Sequence, residues 1–147
     1  MKRLILTVGL PRSGKTLWSR EQIKNGIPVL EVDAVWLSLG YKEYRKITLE
    51  ESNFVEKVLQ TTVRSLFISG HDRVILCHPN LSRVERERWV SKEGLWIRDF
   101  KFFDASYEIC KKRILEVGEE WLPYFERRVS LAEPIIEEEL REGERII

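Results

Sequence analysis

The sequence predicts an α/β fold with a four-stranded, mostly parallel sheet flanked by helices, formed as one domain by residues 1–147. Short apolar runs alternate along the chain with segments of helical period, which is the order expected of parallel strands joined by helical crossovers. The first run, residues 4–8 (LILTV), suits a buried central strand. A glycine-bearing turn follows it and leads directly into a helical segment, as in strand–loop–helix units.

The first half of the chain contains two strands and two helices by these patterns. The first helix is predicted over residues 15–25, and the second strand over residues 29–32. Thr48 is the expected N-cap of a long helix. Its apolar residues are three or four positions apart and predict one buried face: Val55, Val58, Leu59, Thr62, Val63, Leu66 and Phe67.

The second half contains two further strands. Arg73–Cys77 is the third, and residues 97–103 form the fourth. Ser82 is expected to cap a helix that ends near residue 91 and whose alternating charges predict a solvent-facing surface. Asp104 or Ser106 caps the next helix, and the rest of the chain, with breaks at Pro123 and Pro134, is predicted to be helical.

Composition excludes several classes of protein. Hydrophobic residues make up 43% of the chain, which is enough for a core and argues against disorder. The charges nearly cancel at +1, so nucleic-acid binding would require a local basic patch. No apolar run approaches the roughly 20 residues of a membrane helix. Cys77 and Cys110 are far apart and, with two histidines in the chain, do not form a typical zinc motif, so we expect a reduced, cytoplasmic protein.

Residues 9–16 (GLPRSGKT) match the phosphate-binding pattern G-x-x-x-x-G-K-[ST] between a strand and a helix. In such a loop, backbone N–H groups and the helix N-terminus surround a β-phosphate. Lys15 is expected to bind the β- and γ-phosphates, and the Thr16 hydroxyl to bind Mg²⁺. The motif therefore predicts binding of ATP with Mg²⁺ by these residues: Gly9, Pro11, Arg12, Ser13, Gly14, Lys15 and Thr16.

A phosphate loop alone does not separate kinases from motor ATPases and GTPases. The chain is small for a motor, and the guanine-specifying N-K-x-D motif of GTPases is absent from the sequence. A kinase needs a carboxylate that accepts the proton of the acceptor hydroxyl. Asp33 follows the second strand, at the sheet edge where ligands of α/β folds bind. Two interpretations remain open: Asp33 is this general base, or it is the N-cap of a helix beginning at Ala34.

Residues 1–21 (MKRLILTVGLPRSGKTLWSRE) resemble the start of the kinase domain in the bacteriophage polynucleotide 5′-hydroxyl kinase family, and weaker similarity covers most of the chain. The resemblance implies an adenylate-kinase-like P-loop fold with strand order 2-3-1-4 and a helical lid. It also implies that Asp33 is the general base and that Arg113, in the basic run at 111–113, stabilises the transferring phosphoryl group. Residues 77–81 (CHPNL) correspond to the family's segment after the third strand, which places Asn80 at the acceptor side.

This sequence departs from the family on the acceptor side. Trp36 replaces an arginine that holds the acceptor nucleotide, and it could stack on a base or pack in the core. His78 replaces an aspartate near the metal and the acceptor, and it could donate to a phosphate or pair with a backbone carbonyl. The family's second lid arginine is missing or displaced. Arg127 and Arg128 could reach the site, or Arg127 could belong to a solvated face paired with Glu126.

Three functions follow as hypotheses. The first is an ATP-dependent kinase that phosphorylates a hydroxyl, preferably the 5′-hydroxyl of DNA or RNA. The second is a kinase of a small metabolite, nucleoside or sugar nucleotide, which would explain the missing acceptor arginine. The third is a nucleotide-binding adaptor without phosphoryl transfer, which is disfavoured because both the loop lysine and the candidate base are present.

Overall fold

The computed structural model describes residues 1–41, 48–141, 143 and 145–146. A parallel sheet forms its centre, with neighbouring strands in the order β2-β3-β1-β4-β5. The strands are β1 Arg3–Val8, β2 Val29–Glu31, β3 Arg73–Cys77, β4 Ile97–Phe102 and β5 Arg145–Ile146. The predicted order of the first four strands is confirmed. The two-residue strand β5, which pairs with β4, was not predicted.

The helices lie between and after these strands. They are α1 Lys15–Ile23, α2 Val32–Ser38, α3 Leu49–Ile68, α4 Arg83–Glu87, α5 Tyr107–Val117, α6 Leu122–Ser130 and α7 Glu137–Leu140, with a 3-10 turn at Glu119–Trp121. Thr48 and Ser82 each form a capping box with the glutamate three residues later. Ser106, and not Asp104, caps α5. In the part of the chain that is described, no helix is both long and apolar enough to cross a membrane.

The core occupies both faces of the sheet because successive strand residues point to opposite sides. On one face, Leu4, Leu6 and Val8 pack in a cluster with α3. The predicted buried face of α3 is confirmed by its four buried residues at intervals of four: Val55, Leu59, Val63 and Phe67. On the other face, Ile5 packs with a smaller cluster that includes the Trp18 side chain of α1.

The helix after Ser82 corrects a prediction. Its alternating charges predicted a solvent-facing surface, which is wrong for Arg86, whose exposed fraction is 0%. The Arg86 guanidinium binds the Glu139 carboxylate of α7 inside the protein. Because this partner is 53 residues away in sequence, local charge alternation could not reveal it. The helix is also shorter than predicted and ends at Glu87.

Candidate active site

The backbone of the phosphate loop has a shape that depends on its glycines. Gly14 has a φ of 104°, a left-handed conformation that glycine adopts without the strain of a side chain. A Cβ at Gly9 would lie 2.7 Å from Ser13 Oγ and 2.9 Å from Phe103 Cβ, so no side chain fits there without a shift. Gly9 N–H also donates to Pro79 O over 3.1 Å, which joins the loop to the segment after β3.

Lys15 lies inside this loop and is 7% exposed. Its Nζ donates to Gly9 O over 3.0 Å, to Ser13 Oγ over 3.2 Å and also to Leu10 O. Burial lowers the pKa of Lys15 to about 8, although the negative charge of Asp33 acts in the opposite direction. The ammonium therefore lies among loop oxygens at the start of α1.

Thr16 is exposed at the first turn of α1, and its Oγ1 lies 3.9 Å from Cys77 Sγ at the end of β3. Mg²⁺ prefers oxygen ligands and usually keeps several waters beside one or two protein groups and the substrate phosphates. A single exposed hydroxyl beside the phosphate loop fits that mode of binding, whereas the thiol of Cys77 is a soft ligand that suits other metals.

Asp33 lies within the first turn of α2, since the helix begins at Val32 and its N-cap position is Glu31. The alternative that Asp33 is the N-cap is therefore wrong. The Asp33 side chain is exposed and lies on the wall of a cavity of about 660 Å³. No described residue forms an ion pair or hydrogen bond with its carboxylate.

The same cavity brings together the four residues that the sequence placed on the acceptor side: Asp33, Trp36, His78 and Asn80. Residues from α3, α4 and α6 and from the segments next to α4 and α6 form most of the rest of its wall. Its volume is within the range of about 300–1,000 Å³ typical of small-ligand sites. The cavity adjoins the phosphate loop, because His78 and Asn80 line it and Pro79 between them accepts the Gly9 N–H over 3.1 Å.

His78 makes a contact that neither sequence interpretation named. Its Nε2 lies 3.2 Å from Glu85 Oε2, and Arg128 Nη1 lies 3.5 Å from the same oxygen. Burial by itself raises the pKa of Glu85, but the hydrogen bond and charge of His78, together with Arg128 and Ser82, lower it to about 2. Glu85 was missed as a site residue because its place in the charged helix after Ser82 predicted a solvent-facing side chain.

Trp36 and Asn80 have structural contacts as well as a place on the cavity wall. Trp36 is half-buried, packs against the larger core cluster and contacts Tyr41 edge to face, with ring centroids 5.8 Å apart. Asn80 is fully buried, and its Nδ2 donates to Thr7 O over 2.8 Å and to His78 O over 3.2 Å. Asn80 thus holds the segment after β3 against β1.

The helices α5 and α6, which correspond to the expected lid, also reach the phosphate loop. Arg113 Nη1 donates to Arg12 O over 2.9 Å, and Leu10 packs against the apolar cluster formed by these helices. Arg127 and Arg128 of α6 line the cavity. The charge of Arg128 is the smallest of the contributions that act on the pKa of Lys15.

Solved structures with the same fold include several phosphate-loop proteins. A chain of the Pnkp1/Rnl/Hen1 RNA repair complex has a TM-score of 0.72 at 19% identity, and the match covers 88% of this chain and 43% of that chain. A sugar kinase from Janibacter sp. has a TM-score of 0.71 at 19% identity over 99% of this chain and 85% of that one. Chaetomium thermophilum Kti12, solved in complex with ADP-AlF3, has a TM-score of 0.64 at 18% identity, and the match covers 97% of this chain and 88% of that chain.

Sequence comparisons identify the family. A segment of DNA polymerase 2 from Saccharolobus solfataricus is 32% identical over 72 residues, but the match spans 46% of this chain and only 11% of that protein. A family model described as AAA domain, AAA_33, matches residues 4–116 and so covers most of the chain, including the phosphate loop and α5. The chain therefore belongs to the AAA_33 family of AAA domains and has the fold of the P-loop kinases.

Proposed function

We propose that this chain is an ATP-dependent phosphotransferase that moves the γ-phosphoryl group of ATP to a hydroxyl acceptor. The observation that carries the proposal is the position of Asp33. Its carboxylate has no partner among the described residues and lies on the wall of the 660 Å³ cavity, together with His78 and Asn80, which flank the Pro79 that binds Gly9 of the phosphate loop. A hydroxyl bound in the cavity beside Asp33 would face the phosphates held by the loop.

The donor side consists of the phosphate loop. Lys15 Nζ, which now donates to loop oxygens, would donate to the β- and γ-phosphate oxygens of ATP. Loop N–H groups would bind the β-phosphate. Thr16 Oγ1 would hold Mg²⁺, which when bound neutralises developing charge on the phosphates.

The acceptor step assigns one role to Asp33 and another to the arginines. Asp33 accepts the proton of the acceptor hydroxyl while the oxygen of that hydroxyl forms a bond to the γ-phosphorus. The bond between the γ-phosphorus and the β–γ bridging oxygen breaks, which releases ADP. Arg113, held against the loop by its bond to Arg12 O, is the candidate that stabilises the transferring group. Arg128 is the second candidate, because it lines the cavity and its Nη1 lies 3.5 Å from Glu85 Oε2.

The preferred acceptor in this proposal is the 5′-hydroxyl of DNA or RNA. Trp36 and Tyr124 both line the cavity and offer aromatic surface on which a base can stack. The resemblance to the phage kinase family and the fold shared with a chain of an RNA repair complex support the same acceptor. A small-molecule kinase is the second candidate, supported by the size of the cavity and by the sugar kinase that matches nearly the whole chain.

The acceptor class can be tested by incubating the protein with γ-labelled ATP and 5′-hydroxyl DNA and RNA oligomers, nucleosides or sugars. Label on an oligomer, with an apparent affinity that falls as salt rises, supports a nucleic-acid acceptor. Trp36→Ala should weaken oligomer binding by about 1–3 kcal/mol and leave the KM for ATP unchanged, while Trp36→Phe should retain binding. Label on small acceptors alone would favour the second candidate. ATP binding without transfer to any acceptor would contradict the proposed function.

A further inference from the structure

The ionisable side chains around the cavity mostly neutralise one another. Glu56 pairs with Arg88 at 3.9 Å, and Glu85 is shared by His78 and Arg128. Glu133 Oε1 accepts the backbone N–H of Arg83 over 3.3 Å. The charged and histidine residues of the wall are Asp33, Glu56, His78, Glu85, Arg88, Arg127, Arg128 and Glu133. Among these eight wall residues, only Asp33 and Arg127 have side chains that form no ion pair or hydrogen bond within the described part of the chain.

The sequence suggested Glu126 as the partner of Arg127, but in the structure Glu126 contacts other residues. Glu126, its neighbour in α6, accepts a hydrogen bond from the Tyr107 hydroxyl and lies 4.0 Å from Lys111 Nζ. Arg127 is exposed, so water can satisfy its guanidinium while the cavity is open. Arg88 and Arg128 pair with Glu56 and Glu85, whereas Arg127 can pair with an anionic ligand without breaking an existing ion pair. An anion would bind through the planar guanidinium.

We infer that Arg127 binds an oxyanion carried by the acceptor, so that the acceptor is a hydroxyl compound bearing a phosphate or a carboxylate. This inference rests on the proposed function, because it assumes that the cavity holds the acceptor. The two unpartnered charges then divide the work: Asp33 of α2 faces the hydroxyl that reacts, and Arg127 of α6 holds the anionic group. The required chemistry is met by a nucleic-acid phosphodiester, a nucleoside 3′-phosphate or a sugar acid.

The test compares acceptors in matched pairs: a nucleoside with its 3′-phosphate, a neutral sugar with its sugar acid, and a 5′-hydroxyl oligonucleotide. Each is assayed for transfer with the natural chain, Arg127→Gln and Arg127→Lys. Arg64→Gln is the control, because Arg64 lies on α3 outside the cavity wall and pairs with Glu93. We expect the anionic member of a pair to have a KM about ten- to a hundredfold lower, since hydrogen bonds to charged groups are worth about 1.5–3 kcal/mol.

Arg127→Gln should abolish this difference and leave the KM for ATP and for neutral acceptors unchanged, whereas Arg127→Lys should keep part of it. The anionic compound that has the lower KM identifies the source of the anion as a nucleic-acid strand, a nucleotide or a sugar acid. Equal use of neutral and anionic acceptors, or a preference that survives Arg127→Gln, would overturn the inference while leaving the phosphotransferase intact.

Equilibrium binding of the same compounds in the presence of a non-hydrolysable ATP analogue separates the two proposals. If no acceptor is phosphorylated, the proposed function fails. The anion site is then supported only if an anionic compound still binds and Arg127→Gln weakens that binding. Absence of such binding would overturn the site itself.

Discussion

Arg86 and Glu139 form a two-point ion pair inside the protein, with Nε 2.7 Å from Oε2 and Nη2 3.2 Å from Oε1. Arg86 is 0% exposed and Glu139 is 3% exposed. Arg86 Nη1 also donates to Asn80 O and Leu81 O, so the pair fixes the segment after β3 to the end of the chain. The wall of the candidate acceptor cavity that carries His78 and Asn80 therefore depends on a contact with α7.

Replacing Arg86 with Met should lower the free energy of unfolding by about 3–5 kcal/mol, because it leaves the Glu139 carboxylate buried without its counter-charge. Urea denaturation measures the loss. Arg83→Met is the matched control, since Arg83 lies in the same helix and pairs with Glu87 at the surface, and it should lose less than about 1 kcal/mol. The double replacement Arg86→Met with Glu139→Leu should recover part of the loss. Equal losses for Arg86→Met and Arg83→Met would contradict this account.

Stability should fall in acid because of Glu85. Its pKa is lowered from 4.5 to about 2 in the folded protein, so it stabilises the fold above pH 4.5, and this contribution is lost as the pH falls through about 2. The shift corresponds to roughly 3 kcal/mol. Thermal unfolding between pH 7 and pH 2 should show the loss, and Glu85→Gln should flatten it. Glu87→Gln, an exposed change in the same helix, should leave the acid dependence in place.

The strands, the phosphate loop and the helix starts were predictable because their signals are local, whereas the strand order was implied by the family resemblance. Strand β1 is a short apolar run followed directly by the complete loop motif, and Thr48 and Ser82 mark helix starts through contacts three residues away. Strand β5 was not predictable by the same means. Only two residues long, it is formed by pairing with β4 and has no apolar run of its own.

The acceptor side was predictable only in part. The sheet edge indicated Asp33 and the family resemblance indicated Trp36 and His78, and the structure brings all three to one cavity. The partners of these residues depend on long-range packing: Glu85 binds His78, while Glu126 contacts Lys111 and Tyr107 instead of Arg127. Spacing along the sequence does not indicate which of several nearby charged side chains a given residue contacts in the folded protein.

Gly9→Ala should weaken ATP binding and lower stability by about 1–3 kcal/mol, because the new methyl group would meet Ser13 Oγ and Phe103 Cβ within 3 Å. Gly26→Ala is the control: Gly26 has a φ of 77° but no atom within 4 Å of the added Cβ. Gly26→Ala should lower the free energy of unfolding only by the strain of an alanine backbone at this φ, about 1 kcal/mol, and leave ATP affinity unchanged. Titration calorimetry with an ATP analogue and thermal unfolding distinguish the two. Unchanged ATP affinity in a folded Gly9→Ala protein would contradict the close packing of the loop.

Lys15→Met should abolish tight ATP binding while the protein stays folded. Methionine retains much of the side-chain length and removes the charge that would bind the β- and γ-phosphates. Burial lowers the pKa of Lys15, so removing the costly buried charge offsets the loss of its hydrogen bonds to the loop, and the melting temperature should change little. Lys24→Met, at the exposed end of α1, is the control and should bind ATP normally. ATP turnover retained by the Lys15 variant would rule out this nucleotide site.

Asp33→Asn should slow phosphoryl transfer at least ~100-fold and leave ATP binding nearly unchanged, because the amide cannot accept the proton of the acceptor hydroxyl. The fold should change little, since Asp33 is exposed and interacts with α2 mainly through the helix dipole, worth about 0.3–1 kcal/mol. Glu50→Gln is the matched control, because Glu50 occupies the same second position of α3. Both variants should lose similar stability, but only Asp33→Asn should lose transfer. If the two variants behave alike in both assays, Asp33 contributes to the helix and not to the reaction.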